Sequence, residues 1–130
     1  MNRTYILLAS LLLIATSQQA LSQQITEPGM TVQSFSDAEL VTPPDGRIVR
    51  RVNAATVGLI FVEWPKGTKA PVHNHANELV LAVVEGSLRA MSGGEEFLLE
   101  AGDVVIIPAW VEHGYEALED SVTYEAAGPG

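Results

Sequence analysis

Gly67-Thr68-Lys69-Ala70-Pro71-Val72-His73-Asn74-His75-Ala76-Asn77-Glu78 is the stretch that decides how the chain reads, and it has a counterpart in Gly102-Asp103-Val104-Val105-Ile106-Ile107-Pro108-Ala109-Trp110-Val111-Glu112-His113. Together the two segments hold all three histidines of the chain. In a strand, residues i and i+2 share one face. His73 and His75 can therefore point into the same cavity. His113 also follows a strand-like run. If the Gly-punctuated hairpin between the segments folds back, three neutral nitrogen donors converge. Three imidazoles suffice to hold a divalent transition metal, and Fe, Mn, Ni, Cu and Zn all suit such ligands.

Outward from these segments the chain reads as short strands. Thr31 to Phe35 is a candidate first strand, and Asp37 to Leu40 a helical turn or a polar connection. Thr42-Pro43-Pro44-Asp45-Gly46 is a turn. Arg47 to Val52 and Ala55 to Trp64 follow as strands, the latter with Thr56, Gly58, Ile60, Val62 and Trp64 on one face and Val57, Leu59, Phe61 and Glu63 on the other. Leu79 to Glu85 is apolar on both faces, as expected of a strand buried between two sheets. Ser87 to Met91 and Glu95 to Glu100 flank the turn Ser92-Gly93-Gly94. Val104 to Ile107, His113 to Ala117 and Ser121 to Ala126 complete the series. No segment sustains a helical period. Turn signals every 8–12 residues point to an antiparallel sandwich or barrel.

The same two segments resemble the motifs of the cupin superfamily. Gly67, His73, His75 and Gly86 fall in register with the first motif, and Gly102, Pro108 and His113 with the second. The resemblance implies an all-β fold, an antiparallel double-sheet β-barrel of the cupin or jelly-roll type. It also implies a metal held by His73, His75 and His113, with a glutamate as a fourth ligand. That glutamate's position is occupied here by Leu79, and the nearby acid, Glu78, lies one residue early. A one-residue slip reverses a strand side chain, so Glu78 is a fourth ligand only if the backbone is locally displaced. Trp110 stands where the second motif has glycine, and Ala117 where it has asparagine.

Several residues near the histidines have two readings. Tyr115, two residues beyond His113, can donate a hydrogen bond or proton to a bound substrate, or pack in the core. Trp110 can line the cavity mouth or pack outside it. Glu63 can support a histidine or lie exposed at a strand end. With three protein ligands an octahedral metal keeps open positions, which admits dioxygenase-type, isomerase-type or lyase-type chemistry on a small chelating, anionic substrate. The alternative is a cupin module that binds a metal or small ligand without turnover.

Composition narrows the partners. Arg3, the apolar run from Tyr5 to Ala15 and the small residues Ala20 and Ser22 read as an export signal over residues 1–22. Residues 23–130 would then form a single cupin domain, periplasmic or secreted. Beyond Arg3 there are 16 acidic and 6 basic residues, a net charge near −10, with no basic stripe. That balance argues against nucleic-acid binding. With no cysteine there is neither a disulfide nor a thiolate ligand. The resemblance to the cupins further implies a homodimer, paired through an edge strand whose unpaired backbone groups the contact would cover.

Overall fold

The computed structural model describes residues 29–128; the expected export signal lies outside the described residues. Among the described residues there are ten strands: β1 (Leu40–Val41), β2 (Ile48–Asn53), β3 (Gly58–Trp64), β4 (Lys69–His73), β5 (Leu79–Glu85), β6 (Ser87–Ser92), β7 (Glu95–Glu100), β8 (Val104–Ile107), β9 (His113–Ala117) and β10 (Ser121–Ala127). They form a six-stranded sheet, β1-β2-β3-β10-β5-β8, and a four-stranded sheet, β4-β9-β6-β7, with antiparallel pairing throughout. The architecture is the expected all-β double sheet, but the two sheets do not close into one continuous hydrogen-bonded barrel.

The alternation in β3 works as read. Gly58, Val62 and Trp64 are buried on the inner face while Leu59 is exposed. In β5, Leu79, Leu81 and Val83 face the core, whereas Val84 is exposed. The opposite face is only partly covered, with Val80 and Ala82 half-buried. Among the described residues, Trp64, Leu81, Leu88, Val62 and Thr123 are the largest fully buried side chains. The Trp64 indole N–H donates to the Thr123 hydroxyl at 3.0 Å, so neither buried polar group is orphaned.

The N-terminal part differs from expectation. Thr31 to Phe35 is not a strand; a single 3-10 turn spans Phe35–Asp37 instead. Ser34 caps it, its hydroxyl accepting from the Ser36 N–H. The Phe35 ring packs on Phe61 and Tyr124 at centroid distances of 5.6 and 5.8 Å, covering the outer face of the large sheet. Partial burial of this ring against the two others outweighs the extended propensity of the short run before it. The strand expected from Ala55 begins only at Gly58, because residues 54–57 form the turn from β2, closed by the Ala54 N–H donating to the Val57 carbonyl at 2.8 Å.

Candidate metal and ligand site

His73 ends β4 and His113 opens β9, and the two are direct cross-strand partners. The pairing slips between Ala70 and His73, a local bulge that re-aims the end of the strand. Gly114 permits the approach: a Cβ there would lie 3.1 Å from the Ala70 carbonyl oxygen and from Val72. His75 lies beyond the end of β4, in the loop to β5. The alternation argument for His73 and His75 thus reaches the right convergence, but loop geometry supplies it. The loop is pinned by the Trp110 N–H, which donates to the His75 carbonyl at 2.8 Å.

Ring centroids are 4.5 Å apart for His73 and His113, 4.8 Å for His75 and His113, and 5.9 Å for His73 and His75. One ring nitrogen of each lies within 4.8 Å of the others. The Nδ1 atoms sit 2.9, 2.6 and 2.8 Å from the backbone carbonyls of Pro71, Asn77 and Val111, for His73, His75 and His113 respectively. A carbonyl only accepts, so each Nδ1 carries the proton and donates. Nε2 is left in each ring as the nitrogen with a free lone pair. This is the arrangement in which backbone partners orient metal-binding imidazoles. Burial pushes the His113 pKa below the ordinary imidazole value, against the Val111 carbonyl, and the charges of His73 and His75 push the same way. The buried ring is thereby favoured in the neutral form that binds metal.

Glu78 does not join this group. It is exposed, and it does not line the histidine cavity, whereas Leu79 does. Glu63 lies in register with Ile48 and Val122, on the opposite face of β3 from the cavity-lining Ile60. Trp110 is 68% exposed and also does not line the cavity. It takes φ = 68°, the only non-glycine residue described with positive φ. It occupies the third position of a turn closed by the Val111 N–H on the Pro108 carbonyl, where glycine is favoured. Tyr115 is 4% exposed and packs edge-on against both Trp64 and His113 at 5.8 Å. Its hydroxyl is sealed from solvent with no partner.

A cavity of about 250 Å³ lies in front of the histidines, between the sheets. Its wall on the large sheet carries Arg47, Arg51 and Glu125. These three were not singled out from sequence. A signal was present, however: Arg47, Val49 and Arg51 share a face by period two, as do Ser121, Thr123 and Glu125. Polar residues alternating with the solvent face of a strand are candidates for a cavity.

Fold and site together define a small double-sheet β-protein carrying a three-histidine donor set able to hold a divalent metal ion in an inter-sheet cavity. A family model described as a cupin domain matches residues 60–124, half of the chain, and the protein belongs to that family. Similar solved structures include an RmlC-like cupin from Shewanella frigidimarina, 21% identical with TM-score 0.70, covering 78% of this chain and 93% of that one. KdgF from a Halomonas species is 21% identical with TM-score 0.69, covering 77% and 95%. A mutant salicylate 1,2-dioxygenase from Pseudoaminobacter salicylatoxidans is 23% identical with TM-score 0.64, covering 66% of this chain and 27% of the enzyme. At these identities the likeness establishes the fold. No curated protein sequence matches.

Proposed function

We propose that His73, His75 and His113 bind a divalent transition metal through Nε2, and that the cavity in front of them turns over a small, chelating, anionic substrate by dioxygenase-type, isomerase-type or lyase-type chemistry. The observation that carries this reading is the common orientation of the three rings, each with Nδ1 committed to a backbone carbonyl. Bound there, the metal would supply Lewis-acid polarisation of a substrate oxygen and, if it is iron, access to dioxygen chemistry. The chain does the rest. The histidines fix the donor geometry without carrying charge, and Leu79 places an apolar wall where a fourth, anionic ligand would have offset the dication. An anionic substrate is favoured by that uncompensated charge. Burial raises the Tyr115 pKa, helped by the charge of Glu125. The tyrosine therefore keeps its proton and does not serve as a base.

Elemental analysis of protein purified from its natural compartment, followed by dioxygen uptake and product analysis with chelating acids, tests this reading. A stoichiometric metal with binding but no consumption of any such acid would favour a ligand-binding module instead. Export is part of the proposal, supported by the pattern at residues 1–22; an intact mass that retains Met1 in the exported protein would remove it. Dimerisation is proposed through an edge strand, supported by β8, which ends the large sheet and exposes Val104 and Ile106.

A further inference from the structure

The wall facing the histidines is built as carefully as the histidine wall. Arg51 pairs with Ile60, Ile60 with Glu125, and Glu125 with Leu81 across β2, β3, β10 and β5. Cross-strand partners share a face, and Leu81 is fully buried, so this row points inward. Arg51 and Glu125 stand two strands apart, roughly 10 Å between backbones, a gap that two long side chains can narrow.

Arg51 is seated. Its Nε–H donates to the Asn53 side-chain oxygen at 2.8 Å, and its Nη2 donates to the Gly128 carbonyl. Gly58 makes room for it: a Cβ there would fall 2.5 Å from Nη2 and 2.8 Å from Cζ of Arg51. Both hydrogen-bond partners are neutral, and no carboxylate lies within ion-pair distance of Arg51 among the described residues. The remaining guanidinium N–H groups have no acceptor there. Arg47 differs. Its guanidinium is bonded to Asp45 through Nε and Nη2 at 3.0 and 2.8 Å and lies 5.0 Å over the Trp64 ring. Its charge is matched, and it serves as wall.

Glu125 is the acidic side chain of this cavity, and it too makes no ion pair. Burial pushes its pKa up to about 7, against the pull of Arg47, Thr123 and Arg51. A wholly anionic ligand group, such as a phosphate, would satisfy the guanidinium but crowd the glutamate whenever that carboxyl is ionised. A group bearing a negative charge beside a hydroxyl would satisfy both.

We infer that Arg51 and Glu125 form a second recognition point of the cavity, specific for a hydroxy acid: the guanidinium takes the ligand's carboxylate, and Glu125 takes its adjacent hydroxyl. The ligand's other end then faces the histidines. This inference rests on the proposed function for the role of that other end, but the Arg51–Glu125 point binds without a metal.

Tartrate, with a hydroxy-acid group at each end, is the probe, and succinate, lacking the hydroxyls, is its control. Both are titrated calorimetrically into the full chain as purified and again after chelator treatment. Tartrate affinity should fall roughly tenfold to hundredfold in Arg51→Gln, the range for charged hydrogen bonds. Gly58→Ala, which keeps every charge but displaces the Arg51 guanidinium from its position, should weaken tartrate in the same direction by more than twofold. Glu125→Gln should collapse the preference for tartrate over succinate. The Arg51→Gln loss should persist in chelated protein, and metal content should match the parent. Where a variant fails to fold, the parent's Arg51 Nε–H resonance decides, and it should shift on adding tartrate. Arg51→Gln and Gly58→Ala affinities within twofold of the parent, or an unmoved resonance at saturating tartrate, would overturn the inference. Loss of the metal reading would instead appear as unchanged metal content in His113→Ala, which leaves the Arg51 result standing.

Discussion

Replacing Tyr115 with phenylalanine should stabilise the substrate-free protein. Tyrosine hydroxyls in cores usually have partners, and removing one then costs stability. Here the hydroxyl is sealed from solvent and unpartnered. A buried polar group left unsatisfied costs about 1–3 kcal/mol. Phenylalanine keeps the ring and its edge contacts with Trp64 and His113, so little packing is lost. The expected gain is about 1–2 kcal/mol, or roughly 5–10 °C in melting temperature for a domain of about 100 residues. Urea unfolding of both proteins, with metal removed, reads it directly. The midpoint should rise at constant slope, because the surface exposed on unfolding is unchanged. If the hydroxyl serves bound substrate, the same variant should bind or turn over substrate less well at unchanged metal content. A midpoint lowered by the equivalent of 1 kcal/mol would refute the reasoning, since it would mean that the hydroxyl is a satisfied structural group.

Alanine at His113 should empty the metal site, while Glu78→Ala should retain most of the metal by elemental analysis; equal losses would restore Glu78 as a ligand. Glu125 should make the fold more stable in mild acid. With its folded pKa raised from 4.5 to about 7, the native state holds the proton more tightly, so stability declines as pH rises from about 4.5 to 7 and levels off above. The total is about 3 kcal/mol at most, and Glu125→Gln should flatten that part of a pH series of urea midpoints. Sedimentation at micromolar concentration should report two chains, and a charge placed by Ile106→Lys on the exposed edge of β8 should shift it toward one; an unaffected dimer would place the contact elsewhere.

The boundaries of β5, β7, β8 and β9 were legible because alternation and glycine turns are local signals, written within a few residues. So was the histidine set, since its three members are the chain's entire stock. What the sequence could not resolve depended on through-space competition. Whether Thr31 to Phe35 extends or turns was decided by Phe61 and Tyr124, some 26 and 89 residues from Phe35 along the chain. Tyr115 is both packing and cavity wall, a distinction that spacing along one strand cannot draw. Trp110 holds a positive φ where the resemblance expected glycine, because its N–H anchors the His75 loop. Arg51 and Glu125 were invisible as a pair. Their sequence separation is large, and only the register of β2, β3 and β10 brings them onto one row. Local pattern determined which residues could face inward; the pairing of strands distant in sequence decided which of them meet.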